Sequence, residues 1–165
     1  TAVNGEGNTP LHMACNAPDS MINTTILTQL IQANPTCATM LNNHYYTPLH
    51  LYSKGRHAQP EVAKLLLDAH PDALQKQDHQ YGWTPLHVAA HMLHTDLIVF
   101  FVKFNPDVVH MRDQNGRTAL HILCPNARET HVPAIQALIE AAPDLLLVTE
   151  NLHGQTPLHV ACRST

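Results

Sequence analysis

The 165-residue sequence predicts an all-α fold: a helical solenoid in which helix pairs are joined by short hairpin-like turns. Three observations predict it. A four-residue motif recurs five times at near-constant spacing. A proline recurs independently at a matching interval. Ahead of each of those prolines lies an apolar stripe of helical period.

The motif reads Thr9-Pro10-Leu11-His12, Thr47-Pro48-Leu49-His50, Thr84-Pro85-Leu86-His87, Thr118-Ala119-Leu120-His121 and Thr156-Pro157-Leu158-His159, with intervals of 38, 37, 34 and 38 residues. Each residue type suits a helix start. The threonine hydroxyl accepts a hydrogen bond from an orphan N–H of the first turn. Proline fits the first helical position, where its missing N–H costs nothing. Ala119 replaces it once without harm. The leucine faces the core. Six residues past each threonine a small side chain follows (Cys15, Ser53, Ala90, Cys124, Cys162), allowing helices to approach closely.

The second landmark is Pro35, Pro71, Pro106 and Pro143. Nine, eight, five and four residues earlier stand Ile26, Leu27, Leu30, Ile31; Val62, Ala63, Leu66, Leu67; Leu97, Ile98, Phe101, Val102; and Ala134, Ile135, Leu138, Ile139. All are apolar, and the i, i+1, i+4, i+5 pattern is one stripe of an α-helix. Proline disfavours helix in the residue before it, so each helix stops there. The 12 or 13 residues from proline to the next threonine carry an early apolar residue (Leu74, Val109, Leu146) and late turn residues such as Asp113-Gln114-Asn115-Gly116. They read as an extended turn or hairpin into the next unit.

Gly-x-Thr-Pro-Leu-His, a helix with small residues and a second helix together resemble the ankyrin repeat along the whole chain. The resemblance implies one domain over residues 1–165, with four full repeats starting near Thr9, Thr47, Thr84 and Thr118 and a partial fifth at Thr156. It also implies a structural hydrogen-bonding role, within and between units, for His12, His50, His87, His121 and His159. Several features depart from the family pattern. Most units exceed the usual ~33 residues, and the surplus points to enlarged inter-helix loops at 16–24 and 125–132. Proline, rather than glycine, follows the second helix, so an irregular turn is expected there. Tyr45 stands where Gly7, Gly82, Gly116 and Gly154 stand in other units. A positive φ is costly for tyrosine, so that turn is expected to take another shape using Asn42 or Asn43. Tyr52 and Leu123 replace small residues found at Ala14, Ala89 and Ala161, with local repacking expected. Repeat arrays need polar caps, so beyond the half unit the native chain is expected to continue, or a partner to cover its end.

Composition narrows the function. Apolar residues make up 44% and charged residues 13%, which argues against disorder. Net charge is −4 without any Lys/Arg block, so no nucleic-acid partner is expected. No apolar run is long enough to span a bilayer, so no membrane insertion is expected. Three of the four cysteines share one repeat position, a packing pattern that suits reduced thiols and an intracellular setting, cytoplasmic or nuclear.

Two clusters suggest chemistry. His121, Cys124, His159 and Cys162 form two His-x-x-Cys pairs in adjacent units, but repeat grammar accounts for both members. His91 and His94, three apart, suit an exposed helix end better than a metal pair. No paired carboxylates, activated nucleophile, phosphate loop or dinucleotide fingerprint occurs. Neither catalysis, metal nor cofactor is expected.

The reading is therefore a protein-interaction scaffold or adaptor binding a protein partner of unknown identity. The alternatives are a structural subunit of a larger assembly, or the regulatory arm of a longer enzyme. In ankyrin-like proteins the turn tips and first helices line a concave binding surface. By that resemblance the residues before each threonine (Asn8, Tyr46, Trp83, Arg117, Gln155) point into it. The candidate contacts are Tyr46, Trp83, Tyr81, Arg117 and His79 in the turns, with Lys54, His91 and Met92 at first-helix ends. Aromatics and arginine dominate interface hot spots.

Overall fold

A computed structural model describes residues 2–18, 23–56 and 58–163. Among these residues the chain is helical and contains no strand. The first helices of the units are α1 (Pro10–Cys15), α3 (Pro48–Lys54), α5 (Pro85–His91), α7 (Ala119–Leu123) and α9 (Pro157–Cys162). The second helices are α2 (Thr24–Ala33), α4 (Pro60–Ala69), α6 (Thr95–Phe104) and α8 (Val132–Ala141). The numbering follows chain order. First helices pack on first helices along one row and second helices on second helices along another, giving a two-row solenoid.

The motif starts every first helix by one device. Each threonine backbone N–H donates to Nδ1 of the histidine three residues on, at 3.2 Å for Thr9, 3.1 Å for Thr47 and 3.2 Å for Thr84 and Thr118. The histidine N–H in turn donates to the threonine hydroxyl in α1, α3 and α5. This reciprocal capping satisfies two orphan donors. Histidine here takes the place of the more usual Glu or Gln.

The second helices end as the prolines require. Asn34, His70, Asn105 and Ala142 sit at φ −154°, −154°, −146° and −154°, extended backbone imposed by the proline that follows. The expected irregular turn is in fact regular. Each proline opens a 3₁₀ turn, over Pro35–Ala38, Pro71–Gln75, Pro106–His110 and Pro143–Leu147. Its fixed φ and missing N–H suit a helix start as well as a stop.

The core runs between the rows. Leu11, Leu49, Leu86 and Leu120 from the first helices are buried, as are Leu27, Leu66, Phe101 and Leu138 from the second. The stripe fails at one place: Ile26 is 49% exposed, because among the described residues α2 has a neighbour within its row, α4, on one flank. Tyr52 is buried, and its hydroxyl accepts from Gln59 N–H at 2.7 Å and donates to Gln59 C=O at 3.1 Å. The larger side chain thus ties α3 to the start of α4. Leu123 is buried directly in the core.

One expectation about the inter-helix loops needs correction. Residues 125–132 are not an open loop. They contain 3₁₀ turns at Cys124–Asn126 and Glu129–His131, and α8 begins at Val132. In the 16–24 segment, residues 19–22 lie outside the described residues, and Asn23 caps α2 by accepting from the N–H of Thr25 and Ile26.

Tyr45 also departs from expectation. It adopts φ 62°, the same left-handed conformation as Gly7, Gly82, Gly116 and Gly154. The turn keeps its shape and bears a strain of about 1–2 kcal/mol. Neighbours hold it there. Tyr45 N–H donates to Asn42 C=O at 2.9 Å, and its ring stacks on His79 at 4.9 Å. Asn42 does take part, but by bracing this turn: its Oδ1 accepts from His44 and Tyr46 N–H at 2.9 and 3.0 Å.

Candidate interaction groove

Each unit enters its first helix through a closed turn. The backbone N–H of Asn4, Asn42, Asp78, Asp113 and Glu150 donates to the C=O of Asn8, Tyr46, Trp83, Arg117 and Gln155 respectively, at 3.0, 3.1, 2.8, 2.9 and 2.9 Å. Four of those carbonyls receive a second donor from the preceding unit. Nε2 of His12 reaches Tyr46 C=O at 2.9 Å, His50 reaches Trp83 at 3.0 Å, His87 reaches Arg117 at 3.1 Å, and His121 reaches Gln155 at 3.2 Å. With Nδ1 accepting from threonine, these imidazoles are neutral and carry their proton on Nε2. Burial drives the same state. It lowers His50 and His87 to about 4, outweighing the bonds to Trp83 and Arg117, and it lowers His12 and His121 as well. The motif histidine therefore caps its own helix and anchors the backbone from which the next unit's pre-threonine side chain projects.

Three of those side chains, Tyr46, Trp83 and Arg117, meet in one cavity of about 560 Å³. Tyr46, Trp83, Tyr81 and Arg117 line it from the turns, and Lys54, His91 and Met92 from the ends of α3 and α5. His79 is not part of the lining; it stacks on Tyr45 at the turn tip. Two shallower depressions continue the groove. One of about 280 Å³ shares Tyr46 and reaches Asn8, and one of about 330 Å³ shares Arg117 and reaches Gln155. All five pre-threonine residues thus border a single run.

Trp83 is at its centre. Its ring lies 5.0 Å from Tyr81 and 5.0 Å from His91, and its Nε1 donates to Asp113 Oδ2 at 3.1 Å. Arg117 Nε and Nη2 reach the same Oδ2 at 2.8 and 2.7 Å. Burial acts to raise the Asp113 carboxyl, but the Arg117 and Trp83 bonds outweigh it and hold the group below its usual range. Sequence reasoning missed His50, Leu51, Asp78, Gln80 and Val88, which also line the cavity. Asp78 had a usable signal: it holds the turn-capping position five or six residues before threonine that Asn42, Asp113 and Glu150 hold elsewhere.

The metal candidates are otherwise engaged. His94 Nε2 bonds Gly55 C=O at 2.6 Å, and His91 lies against Trp83. His121 uses both ring nitrogens within the scaffold. Burial pushes the thiol of Cys124 up to about 11 and raises Cys15 and Cys37, so these three remain protonated at neutral pH. Among the described residues no three His, Cys, Asp or Glu side chains come together to hold a metal, and no helix is long and apolar enough to cross a membrane.

Known proteins are similar to this chain in sequence. NF-kappa-B inhibitor zeta from Mus musculus and from Homo sapiens is 27% identical over 182 aligned positions, covering 93% of this chain and 25% of each relative. Target of rapamycin complex 2 subunit AVO2 from Saccharomyces cerevisiae is 27% identical over 134 positions, covering 60% of this chain and 30% of the relative. The chain thus spans about a quarter to a third of the length of these relatives. Residues 20–109, 52–147 and 96–165 each match the family described as Ankyrin repeats (3 copies). With matches along most of its length and a histidine-linked stack of helix pairs to go with them, the chain belongs to the ankyrin-repeat family.

Proposed function

We propose that this ankyrin array is an interaction module that binds a protein partner through the groove around Tyr46 and Trp83. The observation that carries this reading is the convergence of aromatic side chains from two adjacent units, with Tyr81, Arg117, Lys54, His91 and Met92, around one cavity. Such cavities suit a few anchor side chains, and Trp, Tyr and Arg are the residue types that dominate binding energy. The scaffold holds them ready: Trp83 and Arg117 are tied to Asp113, and their backbones are fixed by histidines of the preceding units. Little order need be lost on binding, which favours affinity. The names of the relatives, an inhibitor of NF-kappa-B and a subunit of target of rapamycin complex 2, are consistent with work done on other proteins. Thiols held protonated, as at Cys15 and Cys124, suit an intracellular setting. A permanent assembly subunit is the second reading, favoured by the relative named as a complex subunit.

Capture from native extract followed by crosslinking mass spectrometry tests the proposal. Trp83→Ala and Tyr46→Ala should each weaken capture by roughly 30-fold, as expected for a hot-spot loss of about 2 kcal/mol. Undiminished capture by folded variants would exclude the groove. Exchange of the captured partner with added free partner within minutes would separate an adaptor from a permanent subunit.

A further inference from the structure

One carboxylate in the groove lacks the partner that its counterparts have. The turn-capping side chains of successive units are Asn42, Asp78, Asp113 and Glu150, and each uses one oxygen to accept backbone N–H groups of its own turn. The second polar atom is also satisfied in three of them. Asn42 Nδ2 donates to Asn8 Oδ1 at 2.8 Å, Asp113 Oδ2 takes Arg117 and Trp83, and Glu150 Oε2 accepts from Leu152 N–H at 2.7 Å. Asp78 is 4% exposed, and its Oδ1 accepts from Tyr81 N–H at 2.7 Å, but its buried Oδ2 has no partner. An unpaired buried carboxylate oxygen is costly, and its site is high-affinity ground for a cation.

The neighbouring unit shows which group fits. At Asp113 the demand is met by a guanidinium, supplied by Arg117 from the pre-threonine position. The pre-threonine residue of the Asp78 unit is Trp83, whose single polar side-chain atom is already spent on Asp113. The pre-threonine position of this unit therefore supplies no cation, and Asp78, whose residue lines the cavity, keeps its buried Oδ2 unpaired. Tyr46, Tyr81 and Trp83 border the same space. Aromatic faces attract planar, weakly hydrated cations.

Resting on the interaction reading above, we infer that the groove receives an arginine side chain of the partner, its guanidinium among Tyr46, Tyr81 and Trp83 and its charge directed at Asp78. Arg117 does not compete, since its charge is paired with Asp113. Lys54 at the exposed border of the cavity opposes a second positive charge, so the anchor is a lone arginine rather than a basic run.

Trp83 is the only tryptophan in the chain, so its fluorescence reports on the cavity alone. The probes are end-blocked Gly-Gly-X-Gly-Gly peptides with X as arginine, citrulline, lysine or glutamate. The arginine peptide should give a saturable change, with citrulline, equal in shape but uncharged, binding at least about 10-fold more weakly, or about 1.4 kcal/mol. Lysine should fall between them, and glutamate should not bind. Asp78→Asn keeps the Oδ1 acceptor for Tyr81 N–H; it should abolish the arginine-over-citrulline difference without lowering the melting temperature. Should that variant fail to fold, the four-peptide comparison on the unaltered protein decides alone. Equal binding of arginine and citrulline, tighter binding of lysine or glutamate, or no response to any peptide would overturn the inference. The interaction reading stands or falls separately, on partner capture by Trp83→Ala.

Discussion

Acidification from pH 7.5 to pH 5 should destabilise the array, and His50 and His87 should set the size of the effect. Both imidazoles are buried, and burial lowers them to about 4 from an ordinary 6.5, although Asp78 faces both and Asp113 faces His87. The native network also requires the neutral form, because Nδ1 must accept from the threonine above it. In the unfolded chain each histidine takes up a proton as pH falls through 6.5; in the folded chain it does so only near 4. Stability fully present above pH 6.5 is therefore lost progressively as pH falls toward 4. At pH 5 linkage gives a loss of about 2 kcal/mol for each group and about 4 kcal/mol for both. His12 and His121, lowered by the same cause, add in the same direction. Asp113 lies below its ordinary value of 3.8, so its own contribution disappears only in more acid solution. Urea unfolding followed by far-UV circular dichroism at pH 7.5, 6 and 5 measures this directly. The midpoint should fall at each step with an unchanged slope. A midpoint that holds constant down to pH 5 and drops only below pH 4 would place the loss on carboxylates and refute the reasoning.

Three further outcomes follow from packing and backbone geometry. Tyr52→Phe removes the hydroxyl that serves both Gln59 N–H and C=O, and should cost about 1–3 kcal/mol in chemical denaturation. Phe101→Ala empties the largest fully buried side chain and should cost about 3–5 kcal/mol, read as a lowered melting temperature. Gly82→Ala forces a Cβ onto a φ of +69° with Gln114 backbone nitrogen 3.0 Å away. It should destabilise by about 1–2 kcal/mol and alter Trp83 fluorescence, because the same turn aims the indole.

How much of this was readable in advance depends on the range of the forces involved. The helix starts at Pro10, Pro48, Pro85 and Pro157 were legible because threonine capping and proline φ act within four residues. The ends of the second helices were legible because proline restricts its immediate predecessor. Local chemistry also misled. Tyr45 was expected to escape a positive φ, but its turn is held by Asn42 and by the ring of His79 in the next unit, and together they outweigh its own preference. Ile26 followed the apolar stripe, yet its exposure depends on which flank of α2 has a neighbour. In the groove, the turn and helix-end positions named from the resemblance line one cavity, apart from His79, whereas His50 was read only as a structural hydrogen-bonding residue and Asp78 drew no reading at all.

The sequence alone determined the repeat, the starts of the first helices and the ends of the second, because each rests on contacts between residues a few places apart, while the positions expected to face the groove came with the family resemblance. The tertiary structure decided what those positions do together. His50 reaches a carbonyl 33 residues away, and Trp83 reaches a carboxylate 30 residues away. Stacking brings consecutive units into hydrogen-bonding distance, so whether a carboxylate is paired, as at Asp113, or left open, as at Asp78, is set by the neighbouring units and the pre-threonine side chain as much as by its own turn.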